Sequence, residues 1–252
     1  MVGRLDDRLS QRRPTDVLVE EPLQIRLDDQ LVATTMRTPG NDFELAVGFC
    51  HAEGWLTDAT INTVRYCATG DAADTEFNVV TVETIGRTVE PTPRLGITTS
   101  SCGWCGTDAV DALADRLQPL TPQDLGRDVR VSLDAAIRPA QLLFDRTGGS
   151  HAAAAFDRAT GELLVVREDI GRHNALDAVI GRLRLDDRLP GADLGVWISG
   201  RASFEMVQKT WAAGIPTLVS VSAASSLAVD TARRGGIALF GFTRDMSATR
   251  FV

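Results

Sequence analysis

No stretch of this chain reaches the ~20 consecutive apolar residues that cross a bilayer. Its opening residues, Met1-Val2-Gly3-Arg4-Leu5-Asp6-Asp7, lack the apolar run of a secretory leader. Together these absences make a cytoplasmic chain the expectation. Positive charge is also scarce. The 26 Lys and Arg stand against 34 Asp and Glu, a formal net charge of -8, which argues against the broad basic surface of a nucleic-acid groove. One concentrated basic pocket stays compatible with that balance. Neither a Walker A loop nor a Gly-x-Gly-x-x-Gly fingerprint occurs, so the two familiar phosphate-cradling loops are excluded, and no internal repeat is evident. Cysteine is limited to four. Cys50 and Cys67 fall within apolar patterns and are expected core residues. What remains is an ordinary globular composition, 44% hydrophobic and 24% charged over 252 residues, enough for one large domain or two small ones.

The other two cysteines lie in Thr99-Ser100-Ser101-Cys102-Gly103-Trp104-Cys105-Gly106, a stretch without apolar periodicity. A structural thiol wants apolar neighbours; Ser, Thr and Gly favour exposed, mobile backbone instead. The Cys-x-x-Cys spacing suits an attacking thiol with a second thiol to resolve its product, or half of a metal site. Thr107 is the expected cap of a helix over Asp108–Leu117. That would put both thiols just before a helix N-terminus, where partial positive charge favours thiolate.

Along the chain, residues 1–14 read as a flexible tail. Residues 15–106 form a β-rich N-terminal subdomain: short antiparallel strands from Asp16 to Met36 interrupted at Pro22, a helix from Asp42 to about Gly54 capped by Asn41, and strands at Ile61–Ala68 and Glu76–Glu83. It ends in a long, mobile loop carrying the Cys pair. Residues 107–252 form an α/β domain in which strands alternate with helices of about ten residues around a largely parallel core.

Polar clusters recur at the strand–helix junctions of that domain. Thr147-Gly148-Gly149-Ser150-His151 allows close backbone approach beside a histidine. Arg167-Glu168-Asp169-Ile170-Gly171-Arg172-His173-Asn174 opens a helix with more charge than capping requires, and Arg172 and His173 supply donors where an anion binds best. Asp169 there is a candidate cap, and Glu168 with Arg172 a candidate exposed pair. Ser199-Gly200-Arg201-Ala202-Ser203 follows an apolar strand directly, and strand carboxyl ends are where α/β sheets bind ligands. Lys209, in the helix after it, reads as a solvated face. Gly241-Phe242-Thr243-Arg244 closes the last strand with another arginine. The clusters point to a pocket for a phosphorylated, nucleotide-bearing ligand.

His51-Ala52-Glu53 with Cys102-x-x-Cys105 has the outline of the zinc-deaminase signature. However, Ser101 stands where that signature has proline, and His51 falls late in its helix. No metal site is expected.

The order of these motifs resembles the FdhD/NarQ family of formate dehydrogenase accessory sulfurtransferases. The matching stretches are Ser100–Gly106, Thr147–Ala153, Arg167–Asp177 and Ser199–Lys209, within a likeness that runs from about residue 20 to the end. The resemblance implies a cytidine-deaminase-like α/β core, a mixed sheet with helices on both faces and no zinc, beside the smaller β-rich N-terminal subdomain, in a homodimer. It implies sulfur carriage: a cysteine desulfurase loads Cys102 as a persulfide, Cys105 supports transfer, and the sulfur goes to molybdenum in bis-molybdopterin guanine dinucleotide, cargo destined for formate dehydrogenase. It also assigns cofactor contacts to Phe242, Thr243, Arg244, Asp245, Met246 and Ser247. His151, Arg172, His173, Ser199, Gly200 and Arg201 are added by the reading of the junctions. Asp245-Met246-Ser247 is less basic and less glycine-rich than that family's pattern. A thiol–disulfide oxidoreductase built on Cys102-Gly103-Trp104-Cys105 is the alternative; such enzymes place the motif at a strand–helix junction near the chain start.

Overall fold

A computed structural model describes residues 2–3, 12–13, 15–67, 75–93, 106–244 and 247–252. Within the expected N-terminal tail, Val2–Gly3 (β1) and Arg12–Arg13 (β2) pair antiparallel; the other residues of 1–14 lie outside the described set. So do Cys102, Cys105, Asp245 and Met246.

The N-terminal sheet has four strands in the order β4-β3-β6-β5: Glu21–Leu27 (β3), Gln30–Arg37 (β4), Thr60–Tyr66 (β5) and Val79–Ile85 (β6). Pro22 sits inside β3 instead of interrupting it. Leu23, Ile25 and Leu27 alternate with more exposed residues, so one face of β3 is wholly buried, as a period of two dictates. Against that face packs α1 (Asp42–Ala52), burying Leu45, Ala46, Phe49 and Cys50. Asn41 makes no side-chain cap bond. The start of α1 is held instead by buried Arg37, which donates from Nε and Nη2 to the two carboxylate oxygens of Asp42 at 3.1 and 3.0 Å.

The second sheet has six strands in the order β12-β11-β10-β9-β7-β8: His151–Asp157 (β7), Leu163–Asp169 (β8), Leu194–Ile198 (β9), Thr217–Ser220 (β10), Ala238–Arg244 (β11) and Ser247–Arg250 (β12). Only β9–β10 and β10–β11 pair parallel. The core is therefore mixed and not largely parallel. A tight connection makes β7–β8 an antiparallel hairpin, β7 meets β9 antiparallel, and β12 folds back on β11. The run Ala152–Ala155 is buried throughout because both faces are covered. Ala153 and Ala155 meet the cluster holding Leu176, Val179 and Met206; Ala152 and Ala154 meet the one holding Leu133 and Ile137.

The helices are α2 (Gly106–Arg116), α3 (Arg127–Ile137), α4 (Leu142–Thr147), α5 (Arg172–Leu185), α6 (Phe204–Ala212) and α7 (Ser226–Gly235). Helix α2 starts before Thr107, which is thus a helical residue and not its cap. A one-turn 3-10 segment, Arg138–Ala140, precedes α4. Neither α3 nor β12 was legible in the sequence. Among the described residues no helix is long and apolar enough to cross a membrane.

Helix α5 joins the two sheets. Its outer face crosses α1 at Gly48 and Gly181, where a Cβ on either glycine would lie 1.8 Å from a backbone oxygen of the other helix, that of Asp177 or Glu44. Arg167 Nη2 donates to Glu44 Oε1 at 2.8 Å beside that crossing.

Candidate functional site

Strand direction brings the polar clusters to one edge of the six-stranded sheet. The carboxyl ends of β8, β9, β10 and β11 and the start of β7 all lie there, because β7 runs against β8 and β9 while β9, β10 and β11 run together. The N-termini of α5 and α6 open onto the same edge, after Gly171 and Ser203, so unpaired N–H groups and two positive dipole ends converge.

Four of the sequence-derived residues meet here. Ser199 Oγ accepts from Ala152 N at 2.9 Å and lies 3.4 Å from His151 Nδ1. Gly200 is a close approach: a Cβ there would stand 3.4 Å from Arg172 Cδ and 3.7 Å from His151 Nδ1. Burial, then the charges of Arg172 and His173, hold His151 below the ordinary imidazole range, so the ring is neutral at neutral pH and can accept or donate. Among the described residues, buried Arg172 Nε has no hydrogen-bond partner, and neither has Ser203 Oγ at the cap of α6. Unmet buried donors are costly in a native fold unless something supplies acceptors. A cation, a hydroxyl and two helix N-termini with spare donors are chemistry complementary to an anion.

A hydroxyl chain carries the edge across to β11. Ser220 Oγ donates to Gly200 O at 2.7 Å, and Thr243 Oγ1 donates to Ser220 O at 3.2 Å. Thr243 is buried in that role. Phe242 is half-exposed, with φ +53° and its ring 6.3 Å from that of Phe251. A bulky residue at positive φ is strained, and such strain concentrates at functional sites. Arg244 pairs with Ser247 across the hairpin, and Ser247 is exposed. Arg201 is exposed beside Gly200.

Asp169 and Asn174 support the edge from behind. Asp169 accepts from Gly171 N at 2.7 Å, Asn174 Nδ2 at 2.9 Å and Thr38 N at 3.0 Å; Asn174 Nδ2 also reaches Met36 O at 2.7 Å. Burial pushes the Asp169 carboxyl up to about 6 against those hydrogen bonds. The end of β4 is thereby tied to the start of α5. Glu168 forms no pair with Arg172: its carboxylate accepts from Leu143 N and Phe144 N at 2.7 and 2.8 Å and caps α4.

Lys209 departs most from the sequence reading. Instead of lying on a solvated face it is buried, with Nζ 2.7 and 2.8 Å from the two Asp177 oxygens. No local signal marks this pairing, because the partners lie on different helices. Asp177 stands four residues after His173, and Lys209 four after Glu205. His51 is also occupied: its Nε2 lies 3.2 Å from Ala212 O, and burial holds the ring down to about 4. Cys50 and Cys67 are buried; the Cys67 thiol lies 3.0 Å from Thr75 Oγ1, and burial pushes the Cys50 thiol upward, which makes it inert.

The FdhD/NarQ family model matches residues 18–251. The sulfur carrier protein FdhD of Corynebacterium efficiens is 45% identical over 247 residues, covering 92% of this chain and 87% of that one. That of Streptomyces avermitilis is 46% identical over 256 residues, covering 98% and 90%. A crystal structure from Desulfotalea psychrophila, under the name of a formate dehydrogenase accessory protein, superposes with a TM-score of 0.74 at 22% identity over 99% of this chain and 94% of that one; it speaks for the fold.

Proposed function

The chain belongs to the FdhD/NarQ family, and from that premise we propose that it carries sulfur from a cysteine desulfurase to the molybdenum of bis-molybdopterin guanine dinucleotide for formate dehydrogenase. Cys102 is the carrier. Its thiolate attacks the terminal sulfur of the desulfurase persulfide; the Cys102–sulfur bond forms, the donor's S–S bond breaks, and the desulfurase thiolate leaves. Cys105 supplies the electrons for release. Its thiolate attacks Cys102 Sγ, a Cys102–Cys105 disulfide forms, and the sulfur departs as sulfide to the metal. An external dithiol reductant then resets the pair.

The observation that supports the cofactor half of this reading is the edge where Arg172, His151, Ser199 and Gly200 meet two helix N-termini, with Arg172 Nε and Ser203 Oγ unmet. Such donors suit the phosphates of the guanine nucleotide arm. Phe242, at the half-exposed end of β11, offers a ring to the base. The cargo, its assembly as a homodimer and its cytoplasmic setting belong to the same proposal. No observation favours the oxidoreductase or deaminase alternatives.

The test loads the full chain with desulfurase and cysteine and reads the Cys102 peptide by mass spectrometry. A gain of one sulfur atom's mass that is lost in Cys102→Ala, with thermal stability unchanged, is expected. Absence of the adduct, or insulin reduction by the unloaded chain, overturns carriage. Calorimetry with GDP tests the nucleotide half: Arg172→Ala is expected to weaken binding about tenfold, the value of one charge-assisted contact.

A further inference from the structure

Helices α5 and α6 face each other through a two-rung ladder. His173 and Asp177 are one turn apart on α5; Glu205 and Lys209 are one turn apart on α6. The inner rung is Asp177–Lys209, with side chains only 3% and 8% exposed. Lys209 also lies over the ring of Phe49, 5.5 Å from its centroid. The outer rung is His173–Glu205, with Nε2 2.7 Å from Oε2 and both side chains about one-fifth exposed. A cavity of about 30 Å³ touches all four residues.

The rungs differ in what they can do. The inner one is anchored in the core, and removing either partner would leave an uncompensated buried charge. It therefore fixes α5 against α6 at that level. The outer rung stands one turn closer to the edge, beside Arg172 and at the N-termini of α5 and α6. His173 Nε2 is buried and close to Glu205, yet off the hydrogen-bonding axis. The carboxylate thus limits where the ring can sit without saturating it. Glu205 itself lies in the first turn of α6, where an acid is also favoured by the helix dipole alone.

We propose that Glu205 is a positioning residue for the anionic ligand: it acts through His173, holding the imidazole at the α5 N-terminus in the orientation that meets a phosphate, with Asp177–Lys209 as the fixed rung behind it. This rests on the nucleotide-binding reading above. It assigns no contact between Glu205 and ligand; a carboxylate facing a phosphate directly would be repelled.

A double-mutant cycle in the full chain, read as GDP affinity by calorimetry, separates this from a merely structural role. Glu205→Asp keeps the charge in the first turn of α6 and withdraws the carboxylate from His173 by one methylene. The expected result is a three- to tenfold loss for Glu205→Asp, a similar or larger loss for His173→Gln, and no further loss in the double variant. Additive losses, or wild-type affinity in Glu205→Asp, overturn the proposal. If Glu205→Asp does not fold, Glu205→Gln enters the same cycle, and the same two outcomes decide. Failure of the underlying reading looks different: His173→Gln and wild type then bind GDP equally, or neither binds it. Nitrogen-15 spectra of His173 supply a readout without nucleotide, since the ring resonances should shift in Glu205→Asp and stay put if the two side chains are uncoupled.

Discussion

Two buried titratable residues set opposing pH dependences. His51, held down to about 4, is neutral in the folded chain but protonated in the unfolded one between pH 4 and 6.5. The unfolded state binds more protons there, so His51 makes the fold less stable as pH falls. Asp169, pushed up to about 6, is protonated in the folded chain and ionised in the unfolded one between about pH 4 and 6. Its contribution runs the other way: full at the acid end and lost as pH rises to about 6. Each is worth about 3 kcal/mol at full extent, so in the wild type they nearly cancel. Urea titrations from pH 6.5 to 4.5 should therefore give diverging profiles. Asp169→Asn should lose about 2 kcal/mol on acidification relative to wild type, and His51→Gln should gain a similar amount. Parallel profiles for all three proteins would show that neither group titrates as its burial requires.

The decisive contact between elements is the crossing of α1 and α5. Helices normally pack 8–10 Å apart because side chains stand between them. Here Gly48 and Gly181 remove that spacer, and backbone meets backbone. A methyl at either position would overlap a carbonyl oxygen, and neither helix is free to retreat. Helix α1 is seated on the N-terminal sheet through Leu45 and Phe49, and α5 on the second sheet through Leu176 and Val179. Gly48→Ala or Gly181→Ala should thus cost at least about 3 kcal/mol, above the usual range for overpacking, and shift the urea midpoint accordingly. A change below 1 kcal/mol would mean that the helices slide apart cheaply. Since α5 also carries Arg172 and His173 at its start, partial accommodation should appear as weakened GDP binding as well.

At the scale of the molecule, two sheets share one helix layer. Ala178 of α5 belongs to the core beneath the N-terminal sheet, while Ala175, Leu176 and Val179 belong to the other core. Polar ties run the same way, from Thr38 and Met36 at the end of β4 to Asp169 and Asn174. An arrangement with a shared helix cannot lose one core and keep the other intact. Calorimetry should accordingly show a single unfolding transition whose van't Hoff and calorimetric enthalpies agree. Two separated transitions would show that the sheets unfold independently and that the ties from β4 to Asp169 and Asn174 do not couple them.

By itself the sequence determined the local facts. Alternation marked strands between Asp16 and Met36, and glycine-rich junctions marked strand ends; that the run Ala152–Ala155 is covered on both faces came only from the packing. The motifs from Ser100 to Lys209 carried the family. That His151, Arg172, Ser199 and Gly200 would come together was legible because polar chemistry clustered within a few positions at predictable strand ends. The tertiary structure decided what depends on long-range pairing. Strand direction, and with it the mixed sheet, follows from which strands meet, which no local period encodes. The helix α3 was hidden because its sequence is polar on most of its surface and buries few residues, among them Leu133 and Ile137. Lys209 looked solvated because a lysine's burial is set by a partner elsewhere: Asp177 lies thirty-two positions away, and only the packing of α5 on α6 brings the two charges together.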